Sequence, residues 1–436
     1  MMHTVLDLLD LRGFTGDLRV ALPATEDPEG PLDAVRTVIA DVRARGDAAL
    51  LELTERLDGA AIEDVRVPAA TVTAALRAVP DRLRTALEHA AAAIREYHEA
   101  QRPNPVDQDD DGVRVREVVV PVSRAGCYVP GGRAAYPSTV LMTVIPARVA
   151  GVEEVALCVP PDPDGQVAAS TLAAAALAGV DEVYRVGGAQ AIAALAFGTE
   201  TIRPVDVIVG PGNVYVALAK REVAGRVGTD TVAGPSEVAV VADEQADAEL
   251  VAADLLAQAE HGPGGAAVLI TWHEPLVPQV ESEVTRRLER APRRSEIEAT
   301  LRDGGRAILV SGPDQAIDVV NVIAPEHLEL LTADPAAMVP AIRNAGAVFC
   351  GPWTPAVVGD YIAGVNHVLP TGRAARFASA LRVDHFRKYV HVVEADEAAL
   401  RRLAVDVTAL AEAEGLAEHA RAVTLRTELP VRERAS

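Results

Sequence analysis

Val155-Ala-Leu-Cys-Val159, Ala168-Ala-Ser-Thr-Leu-Ala-Ala-Ala-Ala-Leu177 and Glu182-Val-Tyr-Arg-Val186 follow one another within a few turns of chain. The first and third are short, nearly continuous apolar runs rich in β-branched residues. The second is a run of strong helix formers. Strand, helix, strand in this order, with strands that do not alternate polar and apolar, is the pattern of a parallel sheet covered on both faces. The same pattern recurs on either side. Further strands are predicted at Val118–Val122, Val205–Val209, Val238–Val241, Ala267–Thr271, Ala307–Val310 and Ala347–Cys350, and a further helix at Ala189–Ala196. The fold class is therefore α/β, with strands enough for two largely parallel sheets.

The flanks read differently. Val35, Val38, Ile39 and Val42 keep helical spacing, and Gly46-Asp47 breaks and recaps the chain before a second helix that runs to about Leu57-Asp-Gly59. Another helix is expected from about Pro80 to Glu99, then a polar loop over Asn104–Gly112. After Asp384 the chain is expected to turn helical again. Leu400, Leu403, Val407 and Leu410 mark one helix, Gly415 interrupts, and Leu416–Leu425 form another.

Composition narrows the function. The 436 residues suggest roughly three domain-sized units. A net charge of −22 repels phosphate backbones, so nucleic-acid binding is disfavoured. No apolar run reaches the ~18 residues that span a bilayer, and the acidic start offers no signal peptide. Three scattered cysteines, Cys127, Cys158 and Cys350, fit reduced thiols, so a cytoplasmic location is expected. Lysine occurs only at Lys220 and Lys388 among 41 basic residues. Lys220 follows Gly210-Pro-Gly-Asn213 and is the better functional candidate of the two.

Several polar constellations carry chemistry. Glu326-His327 sets a carboxylate beside an imidazole, the pair needed where water is activated and a proton shuttled. Gln258 and His261 lie three apart at the end of a helix predicted over Asp247–His261, on one face. They suit a metal, since zinc accepts imidazole nitrogen and oxygen; they equally suit a helix-dipole histidine beside a solvated amide. Asp360 and His367 flank the glycines of Gly359-Asp-Tyr-Ile-Ala-Gly-Val-Asn-His367 and point to a cavity or to an Asx turn. Glu414 and His419 bracket Gly415, with His419 near the apolar stripe of its helix. Gly187-Gly-Ala-Gln190 and Gly210-Pro-Gly-Asn213 are glycine turns after strands, where backbone amides meet phosphates, and Tyr128-Val-Pro-Gly-Gly-Arg133 after Cys127 is a third glycine turn. None continues as G-x-G-x-x-G, so each also reads as a tight connection.

In order and spacing these segments, with Ala233-Gly-Pro-Ser-Glu-Val and Pro325-Glu-His-Leu-Glu, resemble the histidinol dehydrogenases over nearly the whole chain. The resemblance implies a zinc- and NAD-dependent oxidation of L-histidinol to L-histidine through the aldehyde, the last step of histidine biosynthesis. It implies zinc ligands Gln258, His261, Asp360 and His419, and the acid–base pair Glu326 and His327. It implies substrate contacts from Ser236, His327, His367 and Glu414 with the metal ligands, and NAD contacts from Tyr128, Gln190 and Asn213. The fold it implies has two incomplete Rossmann-like domains, one inserted in the other. Residues 24–127 and 236–381 would form the first and 128–235 the second, with an N-terminal arm over 1–23 and a helical C-terminal tail over 382–436. It further implies a homodimer whose tail brings Glu414 and His419 to the partner's site. Val365, Thr231 and Asp384-His385 depart from the family pattern and leave the ligand set untouched. A relative acting on another small alcohol, and a non-catalytic binding protein on the same fold, are the rival readings. Glu414 and His367 speak against the first, and intact Glu326-His327 with all four metal positions against the second.

Overall fold

The computed structural model describes residues 5–22, 30–101, 103–131, 134–231 and 234–429. The first residues of the expected arm, Arg133 and Ala233 lie outside these. In chain order the strands are β1 (Asp7–Asp10), β2 (Asp107–Asp110), β3 (Val113–Pro121), β4 (Arg124–Tyr128), β5 (Glu154–Cys158), β6 (Glu182–Tyr184), β7 (Val207–Val209), β8 (Gly228–Thr229), β9 (Glu237–Ala242), β10 (Ala266–Thr271), β11 (Gly305–Leu309), β12 (His327–Leu331), β13 (Ala347–Cys350) and β14 (Arg387–Ala395). The chain divides into two compact units, one of residues 1–101 and 122–386, the other of 102–121 and 387–436.

The first unit holds two parallel sheets. One has five strands in the order β6-β5-β4-β7-β8, the other six in the order β1-β11-β10-β9-β12-β13. Both are buried on two faces, which is why their strands read as apolar runs. Side chains alternate along each strand. Val155 and Leu157 of β5 enter one core cluster, Ala156 and Cys158 the opposite one. In the six-stranded sheet Val238, Val240 and Ala242 pack with Val251, Leu255 and Ala259 of the helix Ala248–Ala259. Ala239, Val241, Leu328 and Leu330 face the other way. That register leaves His327, Glu329 and Leu331 of β12 on the face toward the Ala248–Ala259 helix, and it decides what the site contains.

The second unit corrects three expectations. Val118–Val122 was expected in a parallel sheet; β3 is instead the centre of an antiparallel sheet in the order β14-β3-β2. Charged Arg114, Arg116 and Glu117 interleaved with valines mark a strand that is only half-buried. The expected loop over Asn104–Gly112 contains β2, closed onto β3 by Asp111 and Gly112 at φ 49° and 84°. Two left-handed residues in an Asp-Gly pair are what a two-residue hairpin demands. Beyond Asp384 the chain runs as β14 before it turns helical, because pairing along β3 overrides the polar composition of Arg387–Ala395. The expected helices then follow as Glu397–Ala413 and Ala417–Thr427, parted by Gly415 at φ 74°. Among the described residues no helix is long and apolar enough to cross a membrane, and the three cysteines are unpaired.

Candidate active site

The amino ends of two neighbouring strands build the acid–base cluster. Ser236 immediately precedes β9, Glu326 immediately precedes β12, and β12 lies beside β9 with His327 opposite Val238. The Ser236 hydroxyl donates to Glu326 Oε2 at 2.6 Å, and the Glu237 amide donates to the same oxygen at 2.9 Å. Glu326 is 6% exposed. Burial raises its pKa, against the lowering influence of the His327 charge and these two donors. One oxygen of the carboxyl is thus engaged twice and the side chain is fixed in place.

His327 is equally enclosed, at 4% exposed. Its Nδ1 faces the Glu237 carbonyl at 3.3 Å and its Nε2 faces Asp360 Oδ1 at 3.2 Å. Burial works against a charged ring here. The Glu326 carboxylate and then the Asp360 hydrogen bond outweigh it and lift the pKa to about 9. The Phe349 ring stacks on the imidazole, centroids 6.0 Å apart, and limits its rotation. Asp360, on the short helix Ala356–Tyr361, stays ionised. Burial opposes its charge, but the hydrogen bond from His327, with the fields of His327, His367 and His261, holds its pKa below the usual range.

The remaining polar groups stand around the same aspartate, and the charges of His367 and His261 both act on its carboxylate. His367 presents Nδ1 to the Asp360 carbonyl at 2.9 Å and Nε2 to the Thr139 hydroxyl at 3.0 Å. A ring whose Nδ1 meets a carbonyl is the Nδ1–H tautomer, so Thr139 donates to Nε2. Burial lowers the His367 pKa, in keeping with a neutral ring. His261, just past the Ala248–Ala259 helix, turns Nδ1 to the Gln258 carbonyl at 3.1 Å. That contact fixes its tautomer and leaves the Nε2 lone pair outward, the arrangement metal-bound histidines adopt. Gln258 is 6% exposed, and its amide nitrogen finds no hydrogen-bond partner. Side-chain amide oxygen and nitrogen exchange places by a flip of the group; with its oxygen turned to the partnerless position, Gln258 joins an outward imidazole lone pair and an ionised aspartate in a donor set that fits zinc. Among the described residues no three His, Cys, Asp or Glu side chains gather as a metal cluster. Among the described residues of this unit the expected ligand positions are His261 and Asp360, with Gln258 as the amide third.

The five-stranded sheet presents its glycine turns at the carboxyl ends of strands, as nucleotide-binding α/β sheets do. Tyr128 ends β4, and its hydroxyl accepts from the Gly188 amide at 3.1 Å. Gln190 lies in the first turn of the helix Gly188–Phe197, with Nε2 3.5 Å from Asp58 and an unpartnered Oε1. Asn213 caps the helix Val214–Val223 by accepting from the amides of Tyr215 at 3.1 Å and Val216 at 3.2 Å. Gly210 has φ 119°, and a Cβ there would sit on the Tyr128 carbonyl oxygen. Lys220 is a correction. It is 1% exposed, ion-paired with Asp230, and donates to the Gly210 carbonyl at 3.0 Å. Asp230 in turn accepts from the Gly210 amide at 2.7 Å. The lysine braces the turn from within and does not face a ligand.

A family model for histidinol dehydrogenase matches residues 24–427. The chain belongs to the histidinol dehydrogenase family. It is 50% identical over 402 residues to a histidinol dehydrogenase of Parasynechococcus marenigrum, covering 92% of this chain and 91% of that protein. It is 49% identical over 427 residues to that of Rhizobium meliloti, covering 97% and 98%. The crystal structure of histidinol dehydrogenase from Elizabethkingia anophelis superposes with a TM-score of 0.92 at 36% identity, covering 98% of this chain and 99% of that one. The mixed α/β architecture with parallel sheets is thus that of a histidinol dehydrogenase.

Of the residues singled out in the sequence, Ser236, Glu326, His327, Asp360 and His367 form one network in this family member, joined by hydrogen bonds and, between Glu326 and His327, by an ion pair at 3.7 Å. Glu414 and His419 belong to the second unit. Glu414 ends the helix Glu397–Ala413, and His419 is exposed on the next helix, beside buried Ala420. Four polar residues at these sites escaped sequence reading: Glu237, Thr139, Asp58 and Glu329. Glu237 stands beside Ser236 and is raised to about 7, by burial first and then by the Glu326 charge. Asp58 is raised to about 6 by burial. Only spatial neighbours distinguish them, and no spacing along the chain announces those.

Proposed function

We propose that the protein oxidises L-histidinol to L-histidine in two NAD-linked steps, through the aldehyde, as the last step of histidine biosynthesis in the cytoplasm. The observation that carries this reading is the Ser236–Glu326–His327–Asp360 network. It supplies two buried proton-handling groups in contact, held in fixed and different environments. Gln258, His261 and Asp360 would hold zinc, with His419 of a second copy of the chain as the fourth ligand in a homodimer. Bound there, zinc would act as a Lewis acid that fixes an amino alcohol by its nitrogens; zinc is not redox active, and NAD accepts the hydrides. The turns carrying Tyr128, Gln190 and Asn213 would hold NAD.

His327 takes the alcohol proton at its imidazole in the first step. A cation engaging Asp360 would withdraw one of the two carboxylates that favour the charged ring, a change in the direction of the neutral imidazole that can accept a proton. Glu326 takes the proton of the water that adds to the aldehyde. Its Oε2 is pinned by Ser236 and Glu237, so Oε1 is the atom that accepts. General-base help of this kind is worth on the order of 10²–10⁴-fold. Two hydrides leave the same carbon, and the water oxygen ends in the carboxylate. Ser236, His367 and Glu414 would position the substrate. Residues 24–127 with 236–381 would form the domain carrying the chemistry, and 128–235 the inserted NAD domain. The test is NADH stoichiometry on L-histidinol before and after chelation. Two NADH per histidinol, lost with chelator and restored by zinc, is expected; one NADH per turnover, or indifference to chelator, refutes the reading.

A further inference from the structure

Beneath the site lies a second pair of acids that the reaction above does not use. Glu329 is 2% exposed and stands two residues after His327 on β12, hence on the same face of the strand. Asp254 stands four residues before Gln258 on the helix Ala248–Ala259, hence on the same helix face, one turn nearer its amino end. The two carboxyls hydrogen-bond to each other. Glu329 Oε1 also accepts from the Ala356 amide at 2.7 Å. Ala356 opens the helix Ala356–Tyr361 and stands four residues, about one turn, before Asp360. The pair therefore touches three elements, and in each it lies one turn or one pleat below a residue of the site: Gln258, His327 and Asp360.

Two carboxyls bond to each other only if one carries a proton, since an ionised carboxylate has nothing to donate. Glu329 Oε2 is buried without a conventional donor, as expected of an oxygen that shares its neighbour's proton. Burial raises the pKa of both groups, for Glu329 with the Asp254 charge in support, so the pair retains its proton at neutral pH.

We propose that Asp254 and Glu329 are positioning residues, a proton-sharing carboxyl pair that holds the Gln258 helix, the His327 strand and the Asp360 helix in one register. This rests on the reading that those three residues form the zinc and substrate site. The pair itself touches neither metal nor substrate. Groups that orient ligands in this way typically change metal affinity or turnover about 10- to 100-fold when removed.

The test compares Glu329→Leu, Glu329→Gln and Asp254→Leu with the full-length wild type. Zinc affinity is measured by competition with a chromogenic chelator, turnover with L-histidinol and NAD, and folding by thermal melting. Glu329→Leu is expected to weaken zinc binding and lower kcat about 10- to 100-fold. Glu329→Gln is expected within about threefold of wild type, because its amide oxygen accepts from Ala356 and its NH₂ donates to Asp254. Combining Asp254→Leu with Glu329→Leu should add little to either alone, since the two act as a unit. Wild-type behaviour of Glu329→Leu overturns the proposal, as does a Glu329→Gln protein as damaged as Glu329→Leu. If Glu329→Leu does not fold, Asp254→Leu takes its place, and the same two results overturn the proposal. If the wild type binds no zinc, the metal reading fails instead, and the pair is judged on kcat by the same comparison.

Discussion

Replacing Lys220 by Met separates bracing from ligand binding at the glycine turn. The lysine and Asp230 side chains are each 2% exposed, and between them they satisfy both the amide and the carbonyl of Gly210. Lys220→Met fits the volume but strands the Asp230 carboxylate in the core with, among the described residues, the Gly210 amide as its remaining donor. Removing one partner of a buried ion pair costs about 3–5 kcal/mol, a large share of the 5–15 kcal/mol that typically stabilises a domain. The double variant Lys220→Met/Asp230→Asn removes the stranded charge and keeps an oxygen for the Gly210 amide. It should therefore lie within about 2 kcal/mol of wild type. Urea unfolding followed by circular dichroism, with m values checked for constancy, reads both differences. The reasoning is refuted if Lys220→Met costs less than about 1 kcal/mol, or if the double variant is at least as unstable as the single one.

Gly210→Ala places a Cβ on the Tyr128 carbonyl at φ 119° and should cost at least about 1 kcal/mol; a melting temperature equal to wild type would show that the turn is looser than described. Glu237 is held near 7, above its ordinary 4.5, so the folded state keeps a proton that the unfolded state releases. Its contribution to stability is fully present below pH 4.5 and is lost as pH rises to about 7, by at most about 3 kcal/mol. Glu237→Gln should accordingly gain on wild type between pH 5 and pH 8 in urea midpoints, and a constant offset would contradict the assignment. Glu326→Gln should leave the alcohol step and slow aldehyde oxidation by on the order of 10²–10⁴-fold. A single-turnover burst of one NADH per site would show this; equal loss of both steps would disprove the division of labour.

How far the structure could be read from the chain differs by element. Val155–Val159 and Ala267–Thr271 announced themselves because burial on both faces forces unbroken apolar runs, and both emerge within a residue or so as strands. β12 did not, because one of its faces carries His327 and Glu329 among apolar neighbours. Arg124–Tyr128 hid for another reason: Gly126 is required where Leu195 and Val205 press on the backbone, and it dilutes the β signal. At the site, Glu326 and His327 are adjacent in sequence and were legible at once. Their partners were not reachable by spacing, since Ser236 arrives through sheet register and Asp360 on a short helix, from 90 and 33 residues away. The Lys220 reading erred because scarcity of lysine in the chain carries no information about which way a side chain points.

The antiparallel sheet of the second unit has a consequence for biogenesis. Its central strand, β3, emerges early in synthesis, yet it pairs along its length with β14, so that Val113 meets Ala395 and Pro121 meets Arg387. On the ribosome the hairpin of β2 and β3 must wait, with one edge open, until most of the polypeptide has been made. Contacts that close so large a loop form late, and an unpaired edge invites neighbouring nascent chains. A transcript cut short before Arg387 would therefore yield a product prone to aggregate through that edge, however well its parallel sheets had already formed.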